Sequence, residues 1–305
     1  MSSRVIDIVL TAAPASGHLT DGLADRVRGA LSGPEGVWLA PGEAWEMRID
    51  HVDRPPEDVR GLLEKAVGSA SVDVNVVPAT AALRGKRLLC ADMESTIIRE
   101  ELIDEMADMV GCRAEIAAIT EAAMRGEIDF EGALVRRVAL FKGFAADRLD
   151  DILGRATLMP GAVPLLRTMA ARGAKCALVS GGFTRFAEPI ARRLGFDSVV
   201  ANELVIESGR LTGDVRHPIV GPEGKAQALA RLAAEHGLEL SETMAVGDGA
   251  NDLAMLQTAG LGVAFRAKPI LAAAARSSPA GAVVTHGDLT ALLYLQGIPA
   301  GAHAS

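Results

Sequence analysis

The sequence CADMESTII (Cys90–Ile98) places two carboxylates, Asp92 and Glu94, one residue apart at the end of the apolar run 87–91. An apolar strand does not usually end in paired acids unless the acids have a task there. A free carboxylate beside a bound phosphoryl group is able to attack it, as in enzymes that form an aspartyl phosphate. The pair is therefore the first candidate for a catalytic site.

Three further pieces of sequence carry groups that suit the same chemistry: the glycine-rich turn Ser180-Gly181-Gly182, Lys225 at the start of a predicted helix, and GDGAND at 247–252. Backbone N–H groups of such a turn face an oxyanion when a helix begins there. Carboxylates gathered in one crevice repel one another, and a divalent cation relieves that repulsion. Because the set is all oxygen, without His or Cys, it predicts a Mg²⁺ site that binds a phosphoryl group.

The elements that would position these groups are short apolar runs separated by helices. Such runs are typical of a parallel sheet buried on both faces, and ligands of open α/β sheets bind at the carboxyl edge. We predict strands over residues 87–91, 175–180, 198–201, 243–247, 261–265 and 282–285. Three helical patterns follow the first strand, so residues 98–157 are predicted to form an inserted helical cap over the edge. The whole unit, 86–297, is predicted to be a doubly wound α/β domain.

Residues 1–80 show a different pattern, strand-helix-strand-strand-helix-strand, which is typical of a small ferredoxin-like α+β domain. Such domains bind small effectors or mediate pairing, and a scaffold without a ligand is equally compatible with the pattern. Residues 78–86 are predicted to be the linker.

The composition excludes several classes of protein. The 305 residues are 49% hydrophobic and 23% charged, as in globular proteins. A net charge of −8 argues against nucleic acid as a partner, and no apolar run reaches the roughly 18 residues that span a membrane. Asp7 interrupts the first apolar run, so no signal peptide is expected. The odd number of cysteines (Cys90, Cys112, Cys176) predicts reduced core thiols in a cytoplasmic protein.

In order and spacing, the four motifs resemble those of the haloacid dehalogenase superfamily, and they are most similar to those of its phosphoserine phosphatases. The resemblance covers residues 86 to about 295. It includes two cap segments, 98–105 and 130–138, and the N-terminal unit is similar to the degenerate ACT-like domains of bacterial members.

The resemblance implies a role for each motif residue. Asp92 is the expected nucleophile, which forms a phospho-aspartate. Mg²⁺ is expected on Asp92, Asp248 and the main-chain carbonyl of Glu94. Asn251 and Asp252 are expected to hold the fourth motif in place, one of them through the waters of the metal. The groups expected around the phosphate are Ser180, the amide of Gly181, Lys225 and Asn251.

In the cap, the resemblance implies that Glu101 receives the ammonium group of the substrate and Arg137 its carboxylate. Arg136 is an immediate alternative to Arg137. Met124 and Phe130 are expected to form an apolar lid that excludes water, although an ordinary position in the core is open for both.

Glu94 departs from the family, in which Asp is usual at this position. The family's residue protonates the leaving serine oxygen and then takes a proton from the attacking water. Glu keeps the carboxyl group and adds one methylene, roughly 1.5 Å of reach. We therefore expect full or slowed activity.

The function implied is Mg²⁺-dependent hydrolysis of O-phospho-L-serine to L-serine and phosphate, the last step of serine biosynthesis. Hydrolysis of, or transfer from, another small phospho-amino acid, such as phosphohomoserine or phosphothreonine, is the first alternative. A weakly active amino-acid sensor, supported by Glu94 alone, is the second. The family habit also implies a homodimer through the N-terminal unit and an amino-acid effector bound there.

Overall fold

The structure is a computed structural model that describes residues 4–52, 54–78 and 85–304. Most of the predicted linker, residues 79–84, lies outside the described residues. The described strands form two sheets, one of four strands and one of seven.

The four-stranded sheet belongs to the N-terminal unit and has the strand order β2-β3-β1-β4. Its elements are β1 (Arg4–Ala12), α1 (Asp21–Leu31), β2 (Val37–Ala40), β3 (Ala44–Val52), α2 (Pro56–Val67) and β4 (Val72–Pro78). All three pairs of neighbouring strands are antiparallel. Thr20 begins α1, since its side chain accepts a hydrogen bond from the backbone N–H of Leu23. The predicted βαββαβ order is confirmed.

The seven-stranded sheet has the order β11-β10-β9-β5-β6-β7-β8 and is parallel except for the β7–β8 hairpin. Its strands are β5 (Leu88–Ala91), β6 (Lys175–Phe183), β7 (Ser198–Glu207), β8 (Arg210–Arg216), β9 (Thr243–Gly247), β10 (Leu261–Phe265) and β11 (Gly281–Val284). Every residue of β5, β9, β10 and β11 is buried, which explains why these strands are apolar without alternation. The predicted doubly wound α/β fold is confirmed.

Helices cover this sheet and also form the cap. The cap helices are α3 (Leu102–Val110), α4 (Arg113–Met124), α5 (Phe130–Ala139) and α6 (Arg148–Leu153). The helices of the sheet are α7 (Ala162–Ala171), α8 (Thr184–Leu194), α9 (Pro222–Glu235), α10 (Leu253–Thr258), α11 (Pro269–Ser277) and α12 (Ala291–Tyr294). The chain enters and leaves the cap side by side, because Ile98 and Leu158 form an antiparallel bridge.

The N-terminal unit is joined to the seven-stranded sheet through β4, which lies beside β11. The side chain of Asn75 donates to the carbonyl oxygen of Val283 (3.0 Å) and accepts from its N–H (2.8 Å), much as a neighbouring strand would. The buried carboxylate of Asp73 accepts the backbone N–H groups of residues 285–287 at 2.8 to 3.1 Å. Apolar residues of the unit also share one buried cluster with α12 and the residues that follow it.

Two expectations from composition can be checked in the described residues. The three cysteines are buried and free, so their interpretation as core thiols is confirmed. Within residues 4–52, 54–78 and 85–304, no helix is both long enough and apolar enough to span a membrane.

Candidate active site

The ends of three adjacent strands bring the first candidate residues together. Asp92 directly follows β5, Asp248 directly follows β9, and Ser180 lies near the end of β6. Because β5 pairs in parallel with both β6 and β9, the three residues lie at one edge of the sheet. The sequence predicted a site at the carboxyl ends of parallel strands, and that prediction holds only where the strands are neighbours, as they are here.

Three carboxylates form a compact cluster at that edge. One oxygen from each of Asp92, Asp248 and Asp252 lies within 4.8 Å of the others, and all three residues are buried. Burial and the neighbouring carboxylates raise the pKa of Asp92 to about 8 and that of Asp248 to about 6. A buried, oxygen-only cluster of acids is a donor set that fits a hard divalent cation.

Lys225 lies in the first turn of α9, and its side chain reaches two of these carboxylates. Its ammonium nitrogen lies 2.8 Å from Oδ1 of Asp92 and 2.7 Å from Oδ1 of Asp252, and its side chain is 1% exposed. Burial alone lowers the pKa of Lys225, but the two carboxylates outweigh that effect and raise it. The lysine is therefore held in its charged form next to Asp92.

Asp252 uses both of its carboxylate oxygens within the protein. Oδ1 accepts from Lys225 (2.7 Å), and Oδ2 accepts from the backbone N–H of Gly249 (3.0 Å). Gly247 leaves room for this carboxylate, since a Cβ at that position would lie 2.7 Å or less from Cβ, Cγ and Oδ2 of Asp252. Asp252 therefore stabilises the turn at residues 247–252 and holds the ammonium group of Lys225 in position. Asn251 beside it is partly buried, and its amide oxygen packs against Gly249.

Glu94 connects the sheet edge to the cap. Its Oε1 accepts the backbone N–H of Leu102, the first residue of α3, at 2.7 Å. Its other oxygen points towards the turn of β6, where Oε2 of Glu94 and Oγ of Ser180 each lie 3.1 Å from the position that a Cβ of Gly182 would take. Burial, followed by the nearby Glu101, raises the pKa of Glu94 to about 8. A carboxyl group that holds a proton near neutral pH is suited to act as a general acid.

Glu101 stands at the N-terminal end of α3, beside the same loop. It is exposed, and its Oε1 accepts a hydrogen bond of 2.8 Å from the hydroxyl of Ser95.

Arg137 on α5 brings a positive charge to the same region. Burial lowers the pKa of its guanidinium, while the nearby carboxylates of Glu94, Asp104 and Glu101 raise it. Its neighbour Arg136 is exposed, whereas Arg137 is half-buried. The structure therefore favours Arg137 over Arg136 as the residue that faces the acids.

The two residues predicted for an apolar lid differ. The ring of Phe130 lies over two glycines, because a Cβ at Gly181 or Gly221 would lie 3.1 or 3.2 Å from it. Met124 is 78% exposed at the end of α4, so the core position considered for it is wrong. Phe130 is the one of the two that covers the turn of β6.

Comparison with known proteins agrees with this geometry. The family of haloacid dehalogenase-like hydrolases matches residues 69–257. The phosphoserine phosphatase SerB2 of Mycobacterium tuberculosis is 46% identical over 253 residues, 82% of this chain and 61% of that protein. The phosphoserine phosphatase of Streptomyces coelicolor is 42% identical over 288 residues, 93% of this chain and 68% of that protein. The chain belongs to the haloacid dehalogenase-like hydrolases.

One solved structure extends the similarity over both sheets. A probable phosphoserine phosphatase from Vibrio cholerae, in its unliganded form, superposes with a TM-score of 0.76 and is 32% identical. The match covers 97% of this chain and 88% of that one. This chain spans 61% of the length of the Mycobacterium relative and 68% of that of the Streptomyces relative.

Asn202 is a residue of this haloacid dehalogenase-like site that the sequence analysis missed. It is 1% exposed on β7, and its amide nitrogen donates to the carbonyl oxygens of Gly181 (2.8 Å) and Val220 (3.3 Å). Its amide oxygen accepts the N–H of Val220 at 2.7 Å. Asn202 thus connects the turn of β6 to the loop before α9. The helix α9 itself carries Lys225. A polar residue directly after the predicted strand 198–201 was the signal that could have found it.

Proposed function

We propose that this chain is a phosphoserine phosphatase, which hydrolyses O-phospho-L-serine to L-serine and phosphate, the last step of serine biosynthesis. The observation that carries the proposal is that two groups of charged residues lie at the same edge of the sheet, one at the strand ends and one on the cap. The acid cluster with Lys225 suits a phosphoryl group, while Glu101 and Arg137 above it offer opposite charges that suit an α-amino acid. The relatives that carry this name support it.

Asp92 and Glu94 would carry out the reaction in two steps. In the first, Asp92 attacks phosphorus through a carboxylate oxygen; Lys225 lowers its pKa against the effect of burial, and a bound cation would favour its ionised form further. The bond to the serine oxygen breaks, while Glu94 gives its proton to that oxygen. In the second, Glu94 takes a proton from a water molecule, which attacks the phosphorus of the phospho-aspartate. Phosphate leaves, and both carboxyl groups return to their starting states.

We propose Mg²⁺ as the cofactor, held by Asp92, Asp248 and the main-chain carbonyl of Glu94. Asp252 is left out of the ligand set because both of its oxygens are engaged by Lys225 and Gly249. When bound, the cation would offset the negative charge of the phosphoryl oxygens next to the buried acids.

The remaining residues would bind and orient the substrate. Around the phosphate we place the Ser180 hydroxyl, the Gly181 amide, Lys225 and Asn251. Glu101 would receive the ammonium group, and the planar guanidinium of Arg137 would bind the carboxylate in a bidentate manner, which a lysine would not reproduce. Phe130 would keep water out while the intermediate forms.

The organisation of the chain is part of the proposal. Residues 1–80 would form an ACT-like domain that serves regulation or dimerisation, with an amino acid as its effector, and residues 86–297 the phosphatase domain. Three free, buried cysteines suit a reducing compartment, so we propose the cytoplasm as its location.

The decisive assay compares phosphate release from L-phosphoserine, phosphothreonine and phosphohomoserine, with Mg²⁺ and with a chelator. We expect phosphoserine to be hydrolysed fastest, and the chelator to stop release from all three. No release from any of them would overturn the proposal, and equal rates would overturn only the preference for phosphoserine.

The nucleophile is tested separately by Asp92→Asn. The amide is not a nucleophile for phosphorus, so turnover of phosphoserine should fall below detection. Circular dichroism and thermal unfolding are the controls for folding. Phosphate release by a folded Asp92→Asn variant would show that another group attacks.

A further inference from the structure

The loop after β5 and the first turn of α3 are joined by two hydrogen bonds. The N–H of Leu102 donates to Glu94 at 2.7 Å, and the hydroxyl of Ser95 donates to Oε1 of Glu101 at 2.8 Å. Consecutive residues of the sheet edge thus hold consecutive residues of the cap.

Because the N–H of Leu102 donates to Glu94, the side chain of Glu101 is not needed to cap α3. Glu101 occupies the N-cap position of α3, where a polar side chain usually accepts an N–H of the first helical turn. The Glu101 side chain makes no such bond, and Glu94 accepts the N–H of Leu102 instead. The carboxylate of Glu101 is therefore not turned back onto its own helix.

The backbone of Ser95 points to a task for its hydroxyl. Its φ of +53° lies in the left-handed region, which is uncommon for residues other than glycine and is concentrated at functional sites. Glycine would adopt this conformation without strain, so the turn alone does not call for serine. What serine adds is the donor that meets Glu101.

We propose that Ser95 is a positioning residue for substrate specificity: its hydroxyl orients the carboxylate of Glu101 to receive the ammonium group of the substrate. A hydroxyl directs the carboxylate without neutralising it, whereas a lysine or arginine in that place would compete with the ammonium. This inference rests on the proposed function and names what sets one of its binding groups.

The test is a double-mutant cycle of Ser95→Ala and Glu101→Gln on two substrates. One substrate is L-phosphoserine, and the other is 3-phosphooxypropionate, which has the same chain and carboxylate but no amino group. For phosphoserine, we expect Ser95→Ala to raise KM about fivefold to tenfold, as when one solvent-exposed hydrogen bond is lost, with kcat within about twofold. For 3-phosphooxypropionate, KM should not change.

The cycle also separates the hydroxyl from the backbone strain. In the Glu101→Gln background, Ser95→Ala should add no further loss, because its partner is already altered. Ser95→Gly removes the hydroxyl and also relieves the positive φ, so it should match Ser95→Ala in KM. A Ser95→Gly variant with wild-type KM would overturn the inference, as would additive losses or an equal rise in KM for both substrates. A wild type that does not discriminate between the two esters would overturn the proposed function as well.

Discussion

Two parts of the chain are attached to the same seven-stranded sheet, the helical cap and the N-terminal unit, and they are attached in different ways. The N-terminal unit docks through the buried side chains of Asp73 and Asn75, which bond to backbone groups after and within β11. At the cap, Glu94 accepts a hydrogen bond from the N–H of Leu102, and Ser95 donates one to Glu101. Both bonds lie at a partly exposed surface.

The difference lies in what happens to the polar groups when each junction opens. Separating β4 from β11 would break bonds that are sealed from water and backed by apolar packing, which is costly. At the cap, apolar residues of α3 are packed into the same cluster, but water can replace Glu94 and Ser95 as partners of α3, so the loss of these two bonds costs less. The two attachments therefore differ in how far their polar contacts are sealed from water, and the cap is the one whose contacts lie beside the acid cluster. Changes at the first junction should alter stability, and changes at the second should alter turnover.

Among changes at the two junctions, the largest effect is expected from Glu94→Gln. Glutamine has the same length and its amide oxygen can still accept the N–H of Leu102, but it cannot transfer a proton. Turnover of phosphoserine should fall by about 10²- to 10⁴-fold, the usual contribution of general acid–base catalysis. The free energy of unfolding should stay within about 0.5 kcal/mol of the wild type. Steady-state kinetics and urea unfolding check the two halves of this expectation, and a variant that keeps its turnover would remove Glu94 from the proton transfers.

The next largest effect is expected at the junction between β4 and β11, where a change should lower stability and leave turnover unaltered. Asp73→Ala leaves the backbone N–H groups of residues 285–287 without their acceptor, so the free energy of unfolding should fall by about 3 kcal/mol. Turnover should stay within about twofold, because Asp73 lies on the N-terminal unit. Asp25→Ala is the matched control: this aspartate is exposed in the same unit and pairs only at the surface with Arg28, so its loss should cost less than about 1 kcal/mol. Equal melting temperatures for the two variants would contradict a fixed junction.

The sequence predicts the positions of Asp92, Ser180 and Asp248 well because one rule covers them. Near-continuous apolar strands imply a parallel sheet, and polar residues at their carboxyl ends meet at one edge. The contacts of Asn202 were not predicted, because they depend on which strand lies beside β6. The bond between Ser95 and Glu101 was also missed, because it depends on a left-handed residue and on the angle at which the cap begins. Periodicity carries no information on either.

The smallest effect is expected from Glu94→Asp, and it bears most directly on how the cap is held. Aspartate restores the residue usual in the family and keeps an acid at the sheet edge, so turnover should be kept or raised. Its carboxylate falls short of the N–H of Leu102 by roughly one carbon–carbon bond, 1.5 Å, so α3 loses its cap. Loss of a helix cap costs about 1 kcal/mol, and here that cost falls on the first turn of α3. Amide hydrogen exchange at the start of α3 should therefore be about fivefold faster in Glu94→Asp than in Glu94→Gln, which keeps the bond. Faster exchange with undiminished turnover would mean that the extra methylene of Glu94 serves to hold the cap, and that proton transfer does not require it. Equal exchange in both variants would show that the other contacts of α3 hold its first turn in place without Glu94.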